Sequence, residues 1–302
     1  MSKKVLVVMG GFSAERDVSI TSGKGIAAAL AQKGYEVVSH CLNNTKDFLQ
    51  TLKDEKPDVV FNALHGNWGE DGEIQGLLDM LQIPYTHSGL KASAIGMDKN
   101  ITKLVCHSLG IKVPAGEKTT FADFCKNGTK VPFPYVIKPV SDGSSVGVYI
   151  IHSSEDLKQI KFAPEEEILI EQYIAGKELT VAVLQGKALT ITEMRPKQGF
   201  YDYHAKYTDG ATDHIIPAPL PQSVFDQALK YAEILHKELG CKTVSRSDMR
   251  YNEKDGLVLL EINTAPGMTP LSLVPEQYIH TGGTYADLCR ILVEEASCRK
   301  MS

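Results

Sequence analysis

No C-x-x-C pair, no block of lysines or arginines, no apolar run approaching the thickness of a bilayer and neither common glycine-rich phosphate signature occurs in the sequence. Each absence removes a class of protein. Six cysteines (Cys41, Cys106, Cys125, Cys241, Cys289 and Cys298) lie far apart, so neither a zinc site nor a disulfide framework is signalled. Lys3 and Lys4 precede five apolar residues as in a signal peptide, but Gly10, Gly11 and the charged Glu15-Arg16-Asp17 cut the segment short. Nothing is long enough to span a membrane. A net charge of -5 and a pI near 6.0, without a basic cluster, argue against nucleic acid or an anionic membrane as main partner. The missing G-x-G-x-x-G argues against a dinucleotide site, and the missing G-K-[ST] against a P-loop. The 302 residues read as a soluble cytoplasmic protein of two or three globular units acting on small molecules.

What is present begins as an α/β pattern. Strand-like runs at Val5 to Met9, Glu36 to Cys41 and Asp58 to Leu64 alternate with helical stretches near Ile20 to Gln32, Thr45 to Lys53 and Gly72 to Leu81. That order predicts a parallel sheet with helices on its faces. A helix from about Met97 to Leu109 then leads into short strands, "YVIKPV", "SVGVYIIHS" and "EEILIEQYI". A third phase starts near Glu178, with strands in "ELTVAVL", "KALTITEM", "VSRSDMRYN" and "LVLLEINTA" and helices from about Ser223 and Tyr285. Between Lys197 and Pro217 the sequence is aperiodic and rich in tyrosine and lysine, which favours a lid.

"SRSDMRYNEKDGLVLLEIN" reads as a hairpin. A four-residue loop sets Asp248 opposite Glu261, and a two-residue turn sets it opposite Asn263. In either register the three side chains share one face, because side chains alternate along a strand. Two facing acids repel, so a cation belongs between them. An all-oxygen set without His or Cys points to Mg²⁺, commonly shared with phosphate oxygens. Lys138 sits within the apolar "YVIKPV", where its charge is costly unless an anion meets it. The following "SDGSSVG" can fold over phosphates or make a plain turn. Lys99, on its residues alone, reads as a helix-surface lysine. Glu171, Tyr173, Ile174 and Glu178 form either a strand edge and turn for an adenosine or a solvated surface connection.

The segments "GGFSAERDVSITSG", "ALHGNWGEDGEIQGLLD", "YTHSGLKASAIGMDK", "VIKPVSDGSSVG", "FYDYHAKY" and "LLEINTAPGMTPLSLVP" together closely resemble the D-alanine–D-alanine ligases, members of the ATP-grasp superfamily. The likeness runs in order from Gly10 to Pro275. It implies three domains, over 1–95, 96–178 and 179–302. It also implies a reaction in which ATP phosphorylates the carboxylate of one D-alanine and the amine of a second displaces the phosphate. By resemblance, Asp248, Glu261 and Asn263 hold Mg²⁺, two ions with nucleotide bound and Mn²⁺ as a substitute, while Lys99, Lys138 and Lys206 contact phosphates. Glu171, Tyr173, Ile174 and Glu178 match the adenosine pocket. Glu15 takes the ammonium of the first D-alanine, with Val18 and His65 beside it. Arg246 and the Gly267 amide stabilise the oxyanion, Ser272 and Leu273 match the second subsite, and Ser144 and Tyr207 join loop and lid to Glu15. The resemblance also implies a homodimer. Asp142, His87, Ser247 and His204 depart from the commonest family pattern. An enzyme of the same architecture taking D-lactate or D-serine second is the alternative, although Tyr207 in "HAKY" resembles the dipeptide-forming type.

Overall fold

The computed structural model describes residues 2–141, 143, 147–197, 210–270 and 272–300. The N-terminal part is built on β1 (Lys4–Gly10), which pairs in parallel with β2 (Glu36–Leu42) and β3 (Val59–Asn62) in the order β2-β1-β3. Val5, Leu6, Val7 and Val8 are all fully buried, because this middle strand is covered on both faces. Val5, Val7 and Met9 face α1 (Arg16–Gln32), through Ile26 and Leu30, and α9 (Tyr285–Glu294), through Leu288 and Leu292. Leu6 and Val8 face α2 (Thr45–Glu55) and α3 (Glu73–Met80) through Phe48, Leu52, Ile74 and Leu78. The alternating order read from the sequence is therefore present. Helix α1 begins earlier than near Ile20, because the Arg16 guanidinium fixes the preceding turn. It donates to the carbonyls of Gly11 (2.8 Å) and Leu42 (3.1 Å) and to Asn43 Oδ1 (2.7 Å).

The helix expected from about Met97 to Leu109 is α5 (Lys99–Ser108), and a separate α4 (Leu90–Met97) precedes it. Asp98 separates them in an extended conformation and caps α5, accepting a hydrogen bond from the Ile101 amide at 2.9 Å. Lys99 thus opens a helix. The next sheet is antiparallel, in the order β4-β7-β5-β6, from β4 (Gly116–Thr120), β5 (Tyr135–Pro139), β6 (Tyr149–Ile151) and β7 (Glu167–Gln172). Helix α6 (Phe121–Asn127) closes its outer face through Phe124.

The third sheet, also antiparallel, runs β10-β9-β8-β11-β12. Its strands are β8 (Lys177–Leu184), β9 (Lys187–Pro196), β10 (Thr212–Ile215), β11 (Val244–Asn252) and β12 (Gly256–Asn263). Helix α7 (Gln222–Leu239) packs Ala228, Ala232 and Leu235 on Val181, Val183 and Leu259. A shorter α8 (Leu273–His280) lies between this sheet and α9. The stretch from Lys197 to Pro217, expected to be aperiodic, contains β10 paired with β9, so its C-terminal end is sheet and not loop. Its middle, 198–209, lies outside the described residues. Among the described residues no helix is long and apolar enough to cross a membrane.

Candidate active site

The β11-β12 hairpin uses neither turn length expected from the sequence. Asn252 pairs with Gly256 across a three-residue turn, and the same register carries Met249 opposite Leu259. Continued unbroken it would set Asp248 against Leu260, on the wrong face. A bulge beside Met249 shifts the ladder by one residue, so that Asp248 faces Glu261 and Arg246 faces Asn263. The bulge is what makes the four side chains converge. Arg246 forks onto Asp248, Nε to Oδ1 at 2.9 Å and Nη2 to Oδ2 at 2.8 Å. The Thr180 hydroxyl donates to Oδ1 at 2.6 Å, and the Asn263 amide to Oδ2 at 3.3 Å.

Lysines approach from two other elements. Lys138, on β5, reaches Glu171 Oε2 at 2.7 Å, and Lys103, on α5, reaches Glu171 Oε1 at 2.5 Å. All three are buried. Burial opposes the Lys138 charge, but the carboxylates of Glu171 and Glu261 outweigh it and hold the amine above its ordinary value. Burial likewise opposes the Glu171 charge, and Lys138 and Lys103 overcome it, so that carboxyl lies below its ordinary range. Lys99, one helical turn before Lys103, is 8 % exposed and its amine is 3.8 Å from Glu261 Oε2. The surface reading of Lys99 is corrected by its place at the buried end of α5.

The acids test as a cation site by their chemistry. Among the described residues no three His, Cys, Asp or Glu side chains form a metal-holding group. Asp248, Glu261 and Asn263 offer an all-oxygen set carrying two negative charges, which fits a hard divalent ion completing its shell with phosphate oxygens and water. The Arg246 fork would have to yield part of Asp248 to such an ion.

A cavity of about 870 Å³ is lined by Tyr173, Gly176, Glu178, Met194 and Arg250. Glu178 forms an ion pair with Arg250, whose guanidinium also lies 5.8 Å from the centre of the Tyr173 ring. Ile174 is buried. Gly176 turns the chain from one sheet to the next at a φ of +110°, and a Cβ there would lie 2.2 Å from the Tyr251 carbonyl oxygen. Only glycine fits this crossing.

Glu15 occupies the N-cap of α1 and is buried. A negative side chain suits the positive end of a 17-residue helix, so the glycine turn supplies its own anion instead of awaiting one. Val18 follows within the first turn of α1, half-buried. His65 sits nearby with Nδ1 3.5 Å from Glu70 Oε1 and Nε2 3.4 Å from the Ser22 hydroxyl. Burial opposes an imidazolium there, but the hydrogen bond and charge of Glu70, with Glu15 adding to them, raise His65 above its ordinary value against a smaller opposing effect of Arg246. At the far end, the Ser272 hydroxyl accepts from the Thr269 amide at 3.0 Å, and a Cβ on Gly267 would lie 3.1 Å from it. Leu273 opens α8 and packs on Met194. Ser144, Lys206 and Tyr207 lie outside the described residues.

Comparison with known proteins decides the family. The model of the D-ala D-ala ligase C-terminus matches residues 109–294, and that of the N-terminus residues 43–88. The chain belongs to the D-alanine–D-alanine ligase family. It is 47 % identical to the D-alanine–D-alanine ligase of Paramagnetospirillum magneticum over 99 % of this chain and 100 % of that one. To the enzyme of the same name from Zymomonas mobilis it is 48 % identical, over 97 % and 94 %. The crystal structure of the Bacillus anthracis ligase complexed with ATP superimposes with a TM-score of 0.82 at 35 % identity, covering 98 % of this chain and 97 % of that one. The fold is accordingly the ATP-grasp architecture with a parallel α/β N-terminal domain.

Two residues in this site carried no signal in the sequence. Lys103 follows Lys99 by four positions, a helical spacing that only became informative once Asp98 was known to start the helix. Arg250 lies two residues beyond Asp248, and its pairing with Glu178 depends on β11 lying beside β8.

Proposed function

We propose that the protein joins two D-alanine molecules to D-alanyl-D-alanine at the expense of ATP, in the cytoplasm, as a step towards peptidoglycan. The observation that carries this reading is the convergence of Lys99, Lys138, Glu171, Asp248 and Glu261 between the central and C-terminal sheets, with Glu15 of the N-terminal unit close to Gly143 in the loop after β5. Lysines suit phosphates, the acid pair suits Mg²⁺, and Glu15 suits an ammonium. Glu171, Tyr173, Ile174 and Glu178 would hold the adenosine, with Glu178 within reach of ribose hydroxyls and steadied by Arg250. The relatives' names and the ATP complex of the Bacillus anthracis enzyme support the same assignment.

In this mechanism a carboxylate oxygen of the first D-alanine attacks the γ-phosphorus and ADP leaves. The amine of the second D-alanine, having lost a proton, then attacks the acyl carbon and phosphate leaves. Lys99 and Lys138 bind and orient the phosphates. Glu15 and His65 fix the first substrate, whose ammonium meets the local negative charge. Arg246 and the Gly267 amide would face the oxygen on which charge develops, where fixed donors are most effective. Ser272 and Leu273 would border the second substrate. Asp248, Glu261 and Asn263 would hold Mg²⁺, which supplies charge neutralisation during phosphoryl transfer. We assign residues 1–95 to the first substrate, 96–178 to the phosphates and 179–302 to the metal and second substrate, in a homodimer, as the family resemblance implies.

The test is release of phosphate from ATP. It should require D-alanine, fail with L-alanine and yield one dipeptide per phosphate. Equal release with L-alanine, or none with D-alanine, would overturn the reading.

A further inference from the structure

We propose that Lys103 is a positioning residue for the nucleotide: its charge offsets that of Glu171, so that the charge of Lys138 is left to an anionic phosphate. This rests on the functional reading above. The geometry is a buried carboxylate with one lysine on each oxygen, Lys103 on Oε1 at 2.5 Å and Lys138 on Oε2 at 2.7 Å. Glu171 is 2 % exposed, Lys138 7 % and Lys103 8 %.

A single lysine is enough to neutralise a buried carboxylate. With Lys138 alone, Glu171 would form a closed neutral pair, and the pair would present little field to a third group. Adding Lys103 makes the sum of three charges +1. Burying a second ammonium is costly unless something negative shares the space, and Lys138 and Lys99 both face the charge of Glu261. Lys103 does not itself need to touch the nucleotide. It comes from α5, the helix that also delivers Lys99, so one capped helix sets both the direct lysine and the indirect one.

A merely structural Lys103 would instead tie α5 to β7, and its loss would loosen the cleft for every ligand. Calorimetric titration of ATP, AMP and adenosine into the full-length protein separates the two. Lys103→Met should weaken ATP about ten-fold or more, as expected for loss of a charge-assisted contact, AMP less, and adenosine hardly at all. Lys103→Arg should keep ATP binding close to wild type. In the pair Lys103→Met with Glu171→Gln, the acid that would otherwise neutralise Lys138 is gone and ATP binding should return most of the way. Equal losses for ATP and adenosine, a large loss in Lys103→Arg, or a double variant weaker than the single one would each overturn the proposal. Should Lys103→Met fail to fold, Glu171→Gln alone gives the answer. It should hold or tighten ATP relative to adenosine, and a selective loss of ATP would overturn the proposal. If the wild type itself fails to bind ATP, the functional reading falls and not this assignment alone.

Discussion

Gly143, in the glycine and serine loop after β5, comes so close to Glu15 at the start of α1 that a Cβ on it would lie 2.9 Å from Glu15 Oε2. The contact joins the loop of the central unit to the acid of the N-terminal unit that we assign to the first substrate. Because Glu15 is itself buried, it has little room to withdraw. Gly143→Ala should therefore displace the Glu15 carboxylate and raise the KM for D-alanine about ten-fold, the order of one charge-assisted contact, while ATP affinity stays near wild type. Steady-state kinetics with each substrate varied in turn checks this, and a loss confined to ATP would refute it.

Glu15→Gln keeps the shape of that side chain and removes its charge. D-alanine binding at the first subsite should weaken about ten-fold or more, with ATP binding unaffected. Equilibrium titration of each ligand separates the outcomes; weakened ATP binding alone would assign the glycine turn to phosphate instead.

Glu261 lies partly exposed in the cleft, opposite Asp248 and 3.8 Å from Lys99. Its replacement by Gln should leave the thermal midpoint close to wild type and reduce turnover by about a hundred-fold or more, since in the proposed mechanism the lost charge serves phosphoryl transfer. Turnover near wild type at ordinary Mg²⁺ concentrations would remove Glu261 from the metal set.

His65 and His87 should respond to pH in opposite directions. Burial, with His65 nearby, pushes His87 down to about 3 from 6.5, so between those values the unfolded chain takes up a proton that the folded one refuses. Stability is then lost as pH falls below about 6.5, by roughly 1 kcal/mol for each pH unit. His65 is raised, so the stability its charge contributes is complete below 6.5 and is lost as pH rises through its folded value. His87 also sits at a φ of +71°, and its Nε2 has no hydrogen-bond partner among the described residues. His87→Asn, which tolerates that backbone, should flatten the acid limb of a denaturant series run from pH 4 to 8. An unchanged acid limb would show that another group governs it.

Much of the sheet framework was legible because its strands are apolar runs with a clear period, as in β1, β8 and β12. Strand β4 and helix α6 were not, since "GEKTT" is polar and half exposed and owes its conformation to pairing with β7. Helices α4 and α8 are short, and the signal that divides α4 from α5 is a single capping aspartate. The meeting of Asp248, Glu261 and Asn263 on one face could be derived in either register, but the bulge that delivers it could not, because a ladder irregularity depends on what packs above it. Lys103 and Arg250 were silent for a related reason: each finds its partner across a tertiary contact with a residue 68 and 72 positions away.

Helix α9 lies against α1 and β1, with Leu288, Cys289, Leu292 and Val293 in the same apolar cluster as Val5, Val7, Ile26 and Leu30. Beyond it, Ser297 exchanges backbone hydrogen bonds with Tyr85 at 3.2 and 3.4 Å. The N-terminal sheet is therefore finished by residues synthesised long after its own strands. During translation the face of β1 that α1 and α9 share stays only partly covered until α9 has emerged, which leaves apolar surface of the nascent N-terminal unit open to chaperones and to aggregation.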